Sequence, residues 1–491
     1  MEIHLSALVF APLAGMFVIL ALPSAARGLI RCAAAVATLV PLGLASWLFE
    51  RFDRSADEFQ FTERYAWIPA FDIHYFVGVD GMSIVLLLLT TFLSFLGVVA
   101  SWRIDKGVKG YFALFLLLET AMLGVLVSLD LVLLFAFWEL TLLPLALLIG
   151  IWGGPRSQPA VLKFVLFTMA GSFFVLVSIL VLYFATEPRT FDLTVLMASQ
   201  NQYPQSLQYV LWVALFIGFG VKIPVFPLHA WMPDAHVEAP PAISILLAGV
   251  LLKLGVYAVL RVNFAIFPAA TAELAYVCLG TLGVVNIVYG AFCALGQRDL
   301  KRMVAYVSMS HMGYVLIGLA AFNAPGSEGA VLHMVNHGIV VAMLFLLING
   351  LEERAAHRQV YGFGGLATVM PVYTGFVALA SFAALGLPGL ATFVSELLVL
   401  LGSWQRHPGL AALGAAAIVI TAACMVWTLQ RVFLGPLNER YAEVADIGAR
   451  EAALLTPLAV LVIGVGIYPQ PLLEAIAQPL QRLNTAIHWF L

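Results

Sequence analysis

Apolar runs of 18 or more residues recur along the whole of this 491-residue chain. A helix of roughly 20 apolar residues crosses a bilayer core of about 30 Å. Each run is therefore a candidate span. Spans are expected near residues 3–22, 28–49, 80–100, 111–128, 131–151, 160–185, 207–232, 242–262, 272–294, 302–321, 329–350, 371–402, 409–433 and 452–469. The expected fold class is all-α integral membrane, with about 14 transmembrane helices. Charged residues make up 10% of the chain, against roughly 25% in soluble proteins, which excludes a soluble globular fold.

The first run, from about Leu5 to Leu22, lacks a basic leader and is followed by another span, so it reads as a retained helix and not a cleaved signal peptide. No soluble domain is expected on either side of the membrane part. A net charge of −3 gives no reason to expect nucleic acid as a partner. Cys32, Cys278, Cys293 and Cys424 lie in apolar segments without a Cys-x-x-Cys pair and read as packing residues, not as iron–sulfur or zinc ligands. No glycine-rich nucleotide loop follows a strand.

Between Glu50 and Val79, Ile73, Tyr75, Val77 and Val79 alternate at period two, which predicts a short hairpin. One set of loops holds 15 Lys and Arg residues and the opposite set 7, Arg261 among the latter. The richer side is the expected cytoplasmic side. The hairpin and both termini are then extracytoplasmic. Arg298, Asp299, Lys301 and Arg302 read as a solvated cytoplasmic edge. Lys222 and Lys253 belong to neither set, because they sit inside apolar segments.

Two spans carry mid-span prolines, Pro224 and Pro227 in the seventh and Pro388 in the twelfth, the latter between Gly386 and Gly389. Each helix is expected to break there. Pro224 lies 113 residues after Tyr111, where the fourth span begins, and Pro388 lies 116 after Ala272, where the ninth begins. This spacing predicts two copies of a five-helix unit, inverted because the unit has an odd number of helices. Broken helices at matching positions of inverted repeats mark transport sites near the midplane. The expected organisation is 1–110 with three helices and the hairpin, 111–263 as the first repeat, 264–433 as the second, and 434–491 as a last helix and tail.

Ionisable groups in the bilayer core cost at least about 2.5 kcal/mol each and are functional candidates. The candidates are Glu119, Glu139, Lys222, Lys253, His311, His333, His337 and Glu396. Glu139 has no local partner in Phe135–Leu140, and Lys222 is its candidate partner. Burial and a nearby carboxylate pull the protonation of a lysine in opposite directions. A carboxylate that moved a few ångströms would thus let Lys222 lose or regain a proton; the alternative is a static ion pair. Lys253 is a lateral proton acceptor or a snorkelling lysine. His333 and His337 share a helix face, and with His311 they are relay or packing histidines; a metal site from His333 and His337 lacks further ligands. Glu396 is a terminal carboxylate near the second break or a cap on it. Glu119 supports Glu139 or Lys222, or bonds a neighbouring helix. The segment His229–Pro241 is a proton entrance or an ordered cap.

Phe137-Trp138-Glu139-Leu140 with Pro144, Val221-Lys222-Ile223-Pro224 running on to His229-Ala230-Trp231-Met232-Pro233-Asp234-Ala235-His236, and Ser310-His311-Met312-Gly313 resemble the antiporter-like membrane subunits of respiratory complex I. Subunits of Mrp-type cation/proton antiporters and membrane-bound hydrogenases belong to the same superfamily. The resemblance spans nearly the whole chain. Most relatives carry lysine where this chain has Glu396; the glutamate is similar to one branch of the complex I subunits.

The resemblance implies one proton channel, with Glu139 and Lys222 as the essential pair, Lys253 and His311 or His337 as the central relay, and Glu396 as the terminal residue. It implies no cofactor in this chain. FMN, iron–sulfur clusters and quinone would lie in partner subunits, with other membrane subunits on both sides, in a bacterial inner membrane. A gradient-driven antiporter subunit and a structural scaffold are the competing readings.

Overall fold

The structure, a computed structural model, describes residues 4–491. Helices α1 (Leu5–Ala21) and α2 (Arg27–Arg51) lead into an antiparallel hairpin, β1 (Gln60–Ile68) and β2 (Ile73–Val79). Its register pairs Glu63 with Val77 and Tyr65 with Tyr75. The alternation in the sequence therefore picks out a real strand. There follow α3 (Gly81–Ala100), α4 (Val108–Val127), α5 (Leu131–Leu140), α6 (Leu142–Trp152), α7 (Ser157–Ala185), the short α8 (Leu193–Ala198) and α9 (Gln205–Lys222).

Beyond a non-helical stretch come α10 (Met232–Glu238), α11 (Pro241–Leu246) and α12 (Leu252–Ala258), then α13 (Pro268–Ala275), α14 (Leu282–Leu295), α15 (Leu300–Leu319) and α16 (Ala324–Ala355). π-Helical turns at Leu247–Leu251 and Val259–Phe264 make one rod of Pro241–Phe264, and another at Tyr276–Thr281 joins α13 to α14. The chain ends with α17 (Pro371–Ala384), α18 (Ala391–Arg406), α19 (Pro408–Val432), α20 (Ala449–Ile467) and α21 (Gln470–His488). Among the described residues, ten helices are long and apolar enough to cross a membrane, and Leu5–Ala21 and Pro371–Ala384 are shorter apolar helices.

Short polar side chains start several of these helices, as expected where the first backbone amides have no helical acceptor. Asp80 accepts from Ser83 N, Asp130 from Val132 N and Leu133 N, Asp192 from Thr194 N, and Asp299 from Arg302 N. Asp130 also takes the amide of His74, which ties the hairpin to α5. On α7, Leu162, Leu166, Met169, Phe173 and Phe184 point outward, whereas α16 is buried over most of its length. An outward apolar face suits a lipid environment. The polar side chains of the bundle collect inside.

Several expectations need correction. The span near 131–151 is divided at Thr141. The span near 207–232 ends at Lys222; the His229–Pro241 segment beyond it contains α10, with Trp231, Met232, Ala235 and His236 buried, as its reading as an ordered cap expects. A further helix, α21, follows the one near 452–469; its polar face hid it from a search for apolar runs, and Ile476, Leu480, Leu483 and Ile487 bury its other face. Arg261 is not a loop residue, being 3% exposed and paired with Asp80 at 2.8 Å. The 298–302 edge is not simply solvated: Lys301 is buried against Glu352 at 2.8 Å, and Arg358 holds both Asp299 and Glu352.

Candidate functional site

Pro224 cannot continue the ladder of α9, so the helix stops at Lys222, and Gly220 O takes Val225 N at 3.0 Å instead of a helical amide. Trp231 folds back and donates its indole N–H to Val221 O at 2.8 Å. Asn286 on α14 accepts from Phe226 N at 2.8 Å and donates to Pro224 O at 3.2 Å. The irregular backbone is thereby paired inside protein, the condition for its survival at membrane depth.

Lys222 is fully enclosed. Its ammonium donates to Trp138 O at 3.2 Å and to the Thr141 hydroxyl at 2.9 Å, and lies 3.6 Å from the centre of the Trp138 ring. Both oxygen acceptors lie where α5 gives way to α6, so the division of that span supplies them. Glu139 stands next to Trp138, but its carboxylate accepts from Ser172 on α7 and makes no ion pair with Lys222. The expected partners are thus brought together through Trp138 and not by direct contact.

A second cluster is centred on α16. Lys253 donates to Ala248 O, within the π-helical turn, and its Nζ lies 2.7 Å from His337 Nδ1. The His337 and His311 rings are 5.3 Å apart. His311 Nδ1 lies 3.1 Å from His333 Nε2 and 3.5 Å from Glu396 Oε1. His333 Nδ1 in turn lies 2.9 Å from the Ser395 hydroxyl. Lys253, His337, His311 and Glu396 therefore form a file across α12, α16, α15 and α18, all buried.

The second break shapes the end of that file. Between α17 and α18 the chain turns through Gly386 at φ +74° and Gly389 at φ +91°, and a Cβ on Gly386 would lie 2.3 Å from Glu396 Oε2. Asn336 on α16 donates to Ala391 O at 2.6 Å and to the Ser395 hydroxyl at 3.2 Å, pinning the resumed helix. His311, His333 and Glu396 offer three ligand atoms within 4.8 Å of one another, a set that could hold a metal ion. The histidine pair weighed in the sequence, His333 with His337, is not the one that converges with a carboxylate.

Sequence reasoning missed His236. It sits on α10, fully buried, stacked on Phe345 at 5.2 Å, with neither ring nitrogen hydrogen-bonded. Along the chain it lies between the break after Lys222 and the rod that carries Lys253. The signal is present as a histidine within the His229–Pro241 run, whose reading as a proton entrance or an ordered cap singles out no one residue of it. Beside it Asp234 accepts from Lys163 at 2.9 Å and Arg302 at 2.8 Å, joining α7, α10 and α15. Glu119 is completely buried and neither oxygen has a partner, so the structure links it to none of the other candidates.

Residues 128–421 match the family model described as NADH:quinone oxidoreductase/Mrp antiporter, TM. The chain is 43% identical over 479 residues to an NAD(P)H-quinone oxidoreductase chain 4 of Synechococcus sp. (strain JA-3-3Ab), covering 95% of this chain and 90% of that one. It is 38% identical over 439 residues to NADH-quinone oxidoreductase subunit M of Rickettsia conorii, covering 89% of this chain and 88% of the other. A chain of respiratory complex I from Thermus thermophilus, solved with bound NADH, superposes with a TM-score of 0.90 at 26% identity, over 98% of this chain and 99% of that one. A chain of the Mrp complex from Dietzia sp. DQ12-45-1b shares the fold, with a TM-score of 0.86 at 20% identity over 99% and 98% of the two chains.

Proposed function

The chain belongs to the NADH:quinone oxidoreductase/Mrp antiporter membrane family, and we propose that it is the chain 4 (subunit M) type of antiporter-like subunit in a proton-pumping NADH:quinone oxidoreductase. The observation that carries this reading is the buried file from Lys253 through His337 and His311 to Glu396, in a chain 43% and 38% identical to relatives so named. The redox steps, with FMN, iron–sulfur clusters and quinone, belong to partner subunits. Other membrane subunits of the complex flank this chain on both sides. The proposed setting is a bacterial inner membrane, with the hairpin face and both termini extracytoplasmic.

In this reading a proton enters near the first break and is held on Lys222, with Glu139 setting how firmly. It passes by way of His236 to Lys253, then through His337 and His311 to Glu396 beside the second break. Histidines suit the middle of such a file because each ring can accept on one nitrogen while releasing from the other. The two breaks lie at matching positions of two inverted five-helix repeats, 111–263 and 264–433, within a fourteen-helix chain whose remaining parts are 1–110 and 434–491. Moving one charge against 100 mV costs about 2.3 kcal/mol, so the work must come from electron transfer in the partners.

The test is proton pumping by the assembled complex carrying Glu139→Ala or Lys222→Ala. Pumping is expected to collapse with assembly intact. Unchanged pumping in an assembled variant overturns the assignment.

A further inference from the structure

The rod that carries Lys253 also carries Tyr257 and Arg261, at steps of four residues that keep them near one face. Arg261 is buried beside the floor of a cleft on the hairpin face, whose walls include Asp57, Glu58, Gln478 and Arg482. A polar route from Lys253 to that face therefore runs past Tyr257 and Arg261, two turns along the helix, with no need of the histidines or Glu396.

That route is occupied by a closed hydrogen-bond network. Arg261 Nη1 lies 2.8 Å from Asp80 Oδ2, Nε donates to the Tyr257 hydroxyl at 3.1 Å, and Nη2 donates to Ser83 Oγ at 3.0 Å. Tyr257 gives its own proton to Leu126 O at 2.8 Å, and Ser83 gives its proton to Asp80 Oδ1 at 3.0 Å. The Ser83 and Tyr257 hydroxyls also lie 3.1 Å apart, and each accepts from the guanidinium, so the fixed charge of Arg261 stands beside every hydroxyl of the network. A proton hop needs a group that accepts and then donates, whereas a guanidinium only donates and keeps its charge in proteins. The Phe59 ring, 4.9 Å from the guanidinium carbon, covers the group further. Lys253 itself is turned the other way, toward Ala248 and His337.

We infer that the Asp80–Arg261 network is a proton insulator: it closes the direct route from Lys253 to the hairpin face and so makes lateral transfer through His337 obligatory. The inference rests on the proposed role of Lys253 as a proton carrier. It gives a function to a buried ion pair that the relay itself does not use.

The test measures passive proton leak in proteoliposomes holding the whole complex, with electron transfer blocked by a quinone-site inhibitor and an imposed ΔpH. The double variant Asp80→Ala/Arg261→Ala removes both charges together, so no buried charge is left unpaired, and opens space for water beside the cleft. Its ΔpH is expected to decay about tenfold faster than wild type, since each tenfold step needs a barrier only 1.4 kcal/mol lower. Asp80→Asn breaks the ion pair but leaves the guanidinium in place, and is expected to stay tight. If the alanine pair fails to assemble, Asp80→Asn/Arg261→Gln, closer to the native volume, carries the same test. A tight membrane with either neutral pair overturns the inference, as does a leak of equal size in Asp80→Asn, which would mark the pair as a structural brace. Because the leak is read without pumping, its outcome is distinct from failure of the Glu139 and Lys222 variants to stop pumping.

Discussion

Lys222 lies against Trp138, its ammonium 3.6 Å from the centre of the indole and 3.2 Å from the carbonyl oxygen of the same residue. The cation is thus held by a ring face, a carbonyl and the Thr141 hydroxyl, while the carboxylate one residue further along the chain is turned toward Ser172. A buried charge solvated by dipoles can be neutralised without breaking an ion pair, which suits a site that must release its proton.

Ser172→Ala follows directly from that geometry. A hydrogen bond to a charged group contributes about 1.5–3 kcal/mol, so losing the hydroxyl frees Glu139 to swing toward Lys222 and lock it in a static pair. Coupled turnover is expected to fall roughly tenfold, with assembly unchanged on blue-native gels. Wild-type ΔpH formation by this variant would show that the Ser172 contact does not set the position of Glu139.

His337→Gln tests the middle of the file. Glutamine can still face Lys253, but its amide cannot pick up and release a proton near neutral pH. Proton-transfer groups contribute typically 10²–10⁴-fold, so pumping is expected to drop by about a hundredfold or more while the complex assembles. Pumping at the wild-type rate would move the relay off His337 and onto a route that includes His333 or bypasses both.

The sequence exposed the ionisable groups because a charge in an apolar run is conspicuous, and it exposed both breaks because proline removes a donor wherever it stands. Which groups converge was not legible. His333 and His337 share a helix face, yet His333 meets His311 and Ser395 while His337 meets Lys253; the difference is set by α12, α15 and α18, which approach from different sides. Asn286 and Asn336, which pin the two breaks, are ordinary polar residues until the facing carbonyls are known. Arg261 passed for a loop arginine because its partner, Asp80, is 181 residues away in the chain.

Asp446 gives a pH-dependent prediction outside the membrane. It lies in the connection before α20 and accepts from Val372 N and Tyr373 N, the free first-turn amides of α17, and from Ile447 N. Partial burial raises its carboxyl, but those amides and Arg354 outweigh it and hold the group below its usual 3.8. The folded value is depressed, so the stabilisation is present above about pH 4 and is lost as pH falls through the folded value. Asp446→Ala is expected to cost about 1 kcal/mol at neutral pH, and thermal unfolding of variant and wild type should converge in acid. A constant gap at every pH would show that the carboxylate charge is not what caps α17.

Gly313 sets how closely α15 approaches α14. A Cβ there would lie 2.5 Å from Gly283 O and 2.8 Å from Ile287 N, both backbone atoms that no rotamer change can move aside. Gly313→Ala must therefore separate the helices. Overpacking of this kind costs typically 1–3 kcal/mol, and because His311 is two residues away on α15, the separation also displaces the ring that stands 3.1 Å from His333. The expected result is lower thermal stability together with reduced pumping. Gly375→Ala on α17, where nothing lies within 4 Å of the added carbon, is the matched control and should be neutral or stabilising by up to about 1 kcal/mol. Equal stability of the two variants would mean that the α14–α15 contact has slack, and His311 would then not owe its position to that contact.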